Sequence, residues 1–278
     1  MKRIALIALA AAAVLLFLKS QSAETDAAAG MKTIHGNAMG TSWSLRCKAP
    51  KRFHNLVTKT LSRYEQLLSH WQTDSEISRL NAGGIAKPSV ELEKLLSHAT
   101  EFKKHTGGAY DHTLLRQTQA AGFAPNLLTN AHSYDLSGLA KGYVIDQLTQ
   151  QLHAEGIKDF VIELGGECYA SGTQANGSPW PVQIPSPVGG EAFIVHLSNQ
   201  AIATSGNYHQ VASIKDGKIT SHLIDPSSGK PNTTPARSVS IIAADCITAD
   251  AYATAKFINP DLTLPDDYES ITLPKIKP

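Results

Sequence analysis

Apolar positions change period along this chain, and the changes mark out its elements. Over residues 53–69, Leu56, Leu61, Tyr64, Leu67 and Leu68 share one helical face, which predicts an amphipathic helix. Residues 90–104 predict a second, stopped by Thr106-Gly107-Gly108. A third spans 137–153, with Ser137 as N-cap, Leu139, Ile145, Leu148 and Leu152 along its stripe, and Gly156 as terminator. Shorter apolar runs at Phe160–Leu164, Phe193–Leu197, 201–204 and Ser238–Ala243 predict strands, and a first strand is expected to begin with Met39-Gly40-Thr41-Ser42-Trp43. The Ala-rich run 248–255 returns to helical spacing. This mixture predicts an α+β fold.

The chain has 278 residues, 42% of them hydrophobic and 18% charged, enough for a full core in a single large domain. Three segments follow: 1–30, a signal or tether; 31–258, the folded domain; and 259–278, an extended tail with four prolines that packs on it. Met1-Lys2-Arg3 precedes an apolar stretch over residues 4–18, shorter than the ~20 residues a membrane helix needs. That is the form of an export signal, with Ser20, Ser22 and Ala23 available for cleavage, and it places the protein in the periplasm. An uncleaved inner-membrane tether is the alternative. The net charge of +1 offers no basic stripe for nucleic acid. Cys47, Cys168 and Cys246 are odd in number and lack metal-type spacing, so buried free thiols are expected.

Chemistry concentrates in a few places. Asp250 and Thr254, at i and i+4, put two hard oxygens on one helical face, suited to a cation such as Mg²⁺, and a carboxylate in so apolar a helix needs a partner or a metal. His222 enters the turn Asp225-Pro226-Ser227-Ser228-Gly229, where it is either a general base or an ordinary satisfied histidine, while Asp225 has the place of a turn cap. Lys141 falls in the first turn of a helix, a position that disfavours cations unless an anion such as phosphate shares it; otherwise it is simply solvated. Glu163-Leu164-Gly165-Gly166-Glu167 and the hydroxyl-bearing Ala203-Thr204-Ser205-Gly206-Asn207-Tyr208 are either tight turns or places where a ligand can lie on the backbone. Met39-Gly40 allows a similar approach; Trp71 offers an aromatic face but by itself is better read as core, and Ser75 as a helix cap.

Taken in order, Met39-Gly40-Thr41, Asp74 to Asn81, Thr106-Gly107-Gly108-Ala109-Tyr110-Asp111, Asp135 to Asp146, Glu163 to Glu167, Ala203 to Gly206, Ser221 to Pro231 and Ala249-Asp250 to Thr254 resemble the ApbE family of FAD:protein FMN transferases. The resemblance runs from about Lys32 to Phe257. It implies a T-fold-like arrangement of mixed sheets with packed helices around a central FAD cleft. FAD, the substrate, would place its isoalloxazine near Met39 and Trp71 and its pyrophosphate near Lys141 and Thr204-Ser205, with Glu163, Gly165, Gly166 and Asp225 completing the binding set. Mg²⁺ would sit on Asp250, Thr254 and the Ala140 carbonyl, and His222 would act as base. A Thr or Ser hydroxyl of an acceptor flavoprotein subunit, or of an FMN-binding domain with an Asp-Gly-x-Ser/Thr-Gly-Ala-Thr type motif, would receive FMN as AMP leaves.

The chain departs from the family pattern in places. Asp111 and Asp135 are only 24 positions apart, the end after Phe257 is brief, Trp71 stands where tyrosine is common, and no lipobox cysteine follows the apolar run. Two other functions compete: hydrolysis of FAD to FMN and AMP at the same site, and non-catalytic flavin binding by an exported protein, for which His222 and Asp250 would be unnecessary.

Overall fold

The chain opens with a hairpin, not with a lone strand. In this computed structural model, which describes residues 30–208, 211–215 and 218–273, β1 (Met31–Ala38) pairs antiparallel with β2 (Thr41–Lys48). Met39 and Gly40 form the turn with φ of 51° and 73°, a backbone whose twist matches the flanking strands. The expected first strand is thus the second arm of a hairpin, because a methionine occupies a turn position that Asn or Asp usually signals.

Beyond β2 come β3 (Phe160–Leu164), β4 (Glu167–Ser171), β5 (Trp180–Ile184), β6 (Phe193–Leu197), β7 (Gln200–Gly206), β8 (Val211–Lys215), β9 (Lys218–Asp225), β10 (Lys230–Thr234), β11 (Ser238–Ala243) and β12 (Glu269–Leu273). Seven form one sheet in the order β1-β2-β3-β4-β7-β11-β12; β10-β9-β8 and β5-β6 form two smaller ones. Every pairing is antiparallel. The helices are α1 (His54–Leu68), α2 (Glu76–Ala82), α3 (Val90–His105), α4 (Leu115–Ala120), α5 (Ala140–Ala154) and α6 (Cys246–Ile258).

Strand alternation sorts the core into two layers. Ala201, Ala203, Ile241 and Ala243 join the main cluster with α1, α5 and α6, while Ile202 and Ile242 between them join Trp180, Val195 and Leu197 of β5-β6. Covered on both faces, β7 and β11 carry consecutive apolar residues, Ala201-Ile202-Ala203 and Ile241-Ile242-Ala243, in place of strict alternation. The segment after α6 packs Leu262, Leu264 and Tyr268 on the main core and then adds β12 to the sheet edge, pairing Ser238 with Leu273.

Two local expectations change. Ser137 is not the cap of α5: its N–H and hydroxyl both bond Asp135 Oδ1, at 3.1 and 2.7 Å, and the helix starts after Leu139. Trp71 is not core, being 61% exposed. Ser75 does cap α2, accepting the Ser78 N–H, and all three cysteines are buried and free. Residues 1–29, which carry the expected export signal, lie outside the described residues, as do 274–278; among the described residues no helix is long and apolar enough to cross a membrane.

Candidate active site

Gly142 is what lets α5 and α6 meet. A Cβ there would lie 2.3 Å from the Cys246 carbonyl oxygen and 2.9 Å from Asp250 Cβ, so only glycine fits, at a helical position where it otherwise costs about 1 kcal/mol. Two helix N-termini are thereby brought together, and each takes a carboxylate from the other. Asp250 Oδ2 accepts the Gly142 N–H at 3.1 Å, while Asp146 Oδ1 and Oδ2 accept the N–H groups of Cys246 and Ile247 at 2.8 and 2.9 Å. Both contacts satisfy donors that a helix leaves open in its first turn, and both place negative charge at the positive end of a helix.

The junction holds more carboxylate than its one ammonium can balance. Lys141 Nζ lies 2.9 Å from Glu167 Oε1, and Glu167 Oε2 is buried with no hydrogen-bond partner. Burial opposes the lysine's charge, but Glu167 and Asp250 outweigh it and raise its pKa. Burial raises Glu167 and Asp250 in turn, against the pull of Lys141. Glu163 is pushed up to about 7 by burial although its Oε1 accepts the Gly166 N–H at 2.9 Å. Asp146 is likewise pushed up to about 7 by burial, despite its two backbone bonds.

One turn along α6, Thr254 Oγ1 lies 3.1 Å from Ser205 Oγ. Strand alternation turns Thr204 to the other face of β7, where its hydroxyl lies 2.7 Å from Ser240 Oγ. The expected hydroxyl-rich turn is therefore the end of a strand, and it sends only one of its two hydroxyls toward α6. Gly165 and Gly166, with φ of 61° and 103°, make the β3-β4 turn. A Cβ at Gly165 would lie 2.7 Å from the Thr41 side chain, and the Gly165 N–H donates to the Ser42 carbonyl at 3.0 Å, so this turn lies against the Met39-Gly40 turn.

Asp135 organises the neighbouring loop. Besides Ser137, it accepts the Thr118 hydroxyl at 3.0 Å and faces His70 Nδ1 at 3.5 Å. Burial works against its charge, but His70 and these hydrogen bonds outweigh it and lower its pKa. His70 in turn sits 5.9 Å, centroid to centroid, from the exposed Trp71 ring. His222 stands on β9, half-buried and edge-on to Phe123 at 6.3 Å, beside Leu223 of the main core. Asp225 closes the β9-β10 hairpin: its carboxylate accepts the Ser227 N–H and hydroxyl at 2.9 and 2.7 Å and the Ser228 hydroxyl at 3.1 Å. Those bonds, Ser227's first, lower its pKa.

The structure thus gathers Ala140, Lys141, Asp250, Thr254 and Ser205 at the helix junction. Met39, Glu163, Gly165 and Gly166 occupy the adjoining pair of turns. Trp71 is carried beside the Asp135 loop, His222 and Asp225 lie on a hairpin against α4 and α6, and Thr204 faces away. Sequence reasoning missed Glu167, Asp146 and Gly142 as members. A glycine inside the helix predicted over 137–153 was the available signal for Gly142; nothing in spacing links residues 100 positions apart as Asp146 and Cys246 are. Among the described residues no group of three or more His, Cys, Asp or Glu is suited to a metal ion. The oxygens near α6 are instead one carboxylate and two hydroxyls, a set that fits a hard cation completed by backbone and substrate oxygens.

Comparison with known proteins follows the same geometry. The ApbE family model matches residues 39–133 and 127–263. The FAD:protein FMN transferase of Chlamydia pneumoniae is 30% identical, over 84% of this chain and 84% of its own length. That of Escherichia coli strain K12 is 27% identical, over 92% and 86%. The apo crystal structure of the Pseudomonas stutzeri flavinyl transferase ApbE superposes with a TM-score of 0.73 at 21% identity, covering 87% of this chain and 94% of that one, and so shares its fold.

Proposed function

The chain belongs to the ApbE family, and from that premise we propose that it is an Mg²⁺-dependent FAD:protein FMN transferase. The observation that carries the site assignment is the α5-α6 junction, where Asp250, Thr254 and Ser205 converge beside Lys141 with surplus negative charge. Asp250 and Thr254, with the Ala140 carbonyl, are the residues that would hold Mg²⁺, and Glu167 Oε2, buried without a partner, marks the charge a cation would balance. Bound there, the ion would neutralise pyrophosphate charge and make the phosphorus more electrophilic.

The protein's own groups do the rest by positioning. Trp71, exposed and held next to the Asp135 loop, offers a face to the isoalloxazine, and the Met39-Gly40 and Gly165-Gly166 turns offer backbone for close approach. Lys141 keeps N–H donors beyond the one on Glu167 and directs them to the pyrophosphate. His222 accepts the proton of the acceptor's Ser or Thr hydroxyl as its oxygen attacks the FMN-side phosphorus. The anhydride bond to the AMP phosphate breaks, AMP departs, and FMN stays on the acceptor as a phosphoester. The acceptor is a flavoprotein subunit or FMN-binding domain with the Asp-Gly-x-Ser/Thr-Gly-Ala-Thr type motif. Export to the periplasm, by a cleaved signal or a retained tether, rests on the pattern of Met1 to Leu18.

The test is to incubate the protein with FAD and Mg²⁺, with and without an FMN-binding acceptor domain, and to follow AMP and acceptor mass together. AMP matched by an acceptor heavier by one FMN is expected. AMP with free FMN and an unmodified acceptor would instead make the chain an FAD hydrolase, and tight FAD binding without AMP a flavin carrier.

A further inference from the structure

The seven-stranded sheet has two ends of different character, and strand register decides which residues share each. Ala38 with Thr41, Leu164 with Glu167 and Gly206 with Ser238 close one end, where the Met39-Gly40 and Gly165-Gly166 turns and Ser205 of the candidate site lie. Met31 with Lys48, Phe160 with Ser171, Ala201 with Ala243 and Ile242 with Glu269 close the other. Along β1 the two ends are about 24 Å apart. The folded chain is entered at this second end: Gly30 leads into Met31, which is buried in the small core with Trp180, Val195 and Leu197 of the β5-β6 ribbon.

That ribbon is apolar on the outside as well. Six large apolar side chains stay exposed among the described residues, and three of them, Val188, Phe193 and Ile194, gather at its loop end. Ile184 and Phe193 form the last paired rung, with Val188 in the loop beyond. Val195 and Leu197 alternate inward, so Ile194 turns outward. Phe193 borders a cleft with Ile242, Glu269 and Ile271, which places the patch at the entry end of the sheet. Exposed apolar side chains clustered in this way mark a contact surface. The exposed charges at this end have both signs, Lys48 and Lys158 toward Met31, Glu191 and Glu269 toward the patch, so the surface selects an apolar partner and not an ionic one.

The chain ahead of Met31 brings such a partner close. Residues 4–18 are a continuous apolar run, and residues 19–29 join it to Gly30 over at most about 40 Å when fully extended. A bilayer that holds the run is therefore within reach of the entry end. A patch of three side chains binds lipid weakly by itself, but a tether of this length keeps it at high local concentration.

We propose that Val188, Phe193 and Ile194 form a membrane-contact surface, which rests on the phospholipid bilayer that anchors residues 4–18 and turns the catalytic end of the sheet away from the lipid. This rests on the retained-tether reading and adds to it an orientation.

Full-length protein carrying Ile194→Cys or Val188→Cys can be labelled with the fluorophore NBD at one position, since Cys47, Cys168 and Cys246 are buried. Lys230→Cys, exposed on the hairpin that carries His222, is the reference. Vesicles of phosphatidylethanolamine and phosphatidylglycerol are the probe, with flotation as the measure of binding. On vesicles the labels at 194 and 188 are expected to shift to the blue and to be quenched by lipids spin-labelled near the headgroup, at low and high salt alike, while the label at 230 does neither. Protein that floats with no change at 194 and 188, or with an equal change at 230, overturns the inference alone. A blue shift that appears without vesicles and grows with protein concentration also overturns it, by giving the patch to a second copy of the chain. Failure to float overturns the tether reading and this inference with it.

Discussion

Two sets of carboxylates lie within this fold, and they are treated in opposite ways. Around the turns, Asp135, Asp111 and Asp225 each accept several N–H or O–H donors, and each is held below its ordinary pKa. At the α5-α6 junction, Asp250 and Glu167 are buried, Asp146 and the adjoining Glu163 half-buried, all with fewer donors, and each is pushed above its ordinary pKa. A carboxylate that has its donors builds structure. One that has been buried ahead of its positive charge is poised to receive it, and the second set surrounds the residues assigned to metal and pyrophosphate.

The largest expected effect separates the sets by a matched pair of substitutions. Asp250→Asn retains an oxygen for the Gly142 N–H but removes the charge, so thermal stability should hold or rise while AMP release falls at least about a hundredfold, roughly 2.7 kcal/mol of barrier. Asp135→Asn removes the partner of buried His70 and should cost about 3 kcal/mol of folding stability, read by denaturant midpoint, with turnover at saturating FAD within a few-fold of wild type. An Asp250→Asn protein that unfolds easily, or an Asp135→Asn protein that is stable but inactive, would break the comparison.

His222→Ala comes next, and it asks whether the base can be separated from the junction. The residue stands on the β9 hairpin, and no carboxylate of the junction belongs to that element. Transfer should fall about a hundred- to a thousandfold, while FAD and Mg²⁺ binding stay near wild type, as checked by flavin fluorescence and calorimetry. Loss of FAD binding would move His222 from proton transfer to substrate contact.

Much of the scaffold was legible in the sequence, because long periodic segments state their own partners. The stripe of α1, the run of α3 and the doubly covered strands β7 and β11 were visible for that reason. The Met39 turn was not, since φ of 51° on a methionine has no compositional signal. Nor was β12, an edge strand among prolines whose pairing with β11 depends on what precedes it. In the site, Asp250 was legible as a carboxylate in an apolar helix, whereas its Gly142 donor, the Asp146 cap and the pairing of Lys141 with Glu167 join residues far apart in sequence. Trp71 taken by itself reads as core because aromatic residues usually are, and its exposure is identified only by where the chain places it.

The pH dependence of stability sharpens the contrast, with a smaller effect. Glu163 and Asp146 rise from 4.5 and 3.8 to about 7 on folding. Between those limits the folded protein binds protons that the unfolded chain has released, so their contribution to stability falls as pH rises from about 4 to about 7. For the turn carboxylates, whose pKa values are lowered, the sign reverses: their contribution is present above the ordinary carboxylate range and is lost as pH falls through their folded values. The metal-free protein should therefore lose several degrees of melting temperature between pH 5 and pH 7.5, and Mg²⁺ should flatten that slope. A melting temperature that climbs over this range without metal would mean that the junction carboxylates are already balanced.

The smallest expected effect falls on Asp225, where the comparison and the family resemblance disagree. By resemblance it belongs to the FAD-binding set; by its bonds to Ser227 and Ser228, and its lowered pKa, it belongs with the turn builders. Asp225→Asn leaves an oxygen for the Ser227 N–H and the Gly229-to-Asp225 backbone bond of 2.8 Å, so the hairpin should persist with a stability loss of at most about 1 kcal/mol. If the carboxylate only builds the turn, FAD affinity and the rate of AMP release should both stay within twofold of wild type. A fivefold loss of FAD affinity at unchanged stability would show that a carboxylate can be saturated by its own turn and still serve the ligand, and donor count would then no longer separate the two sets.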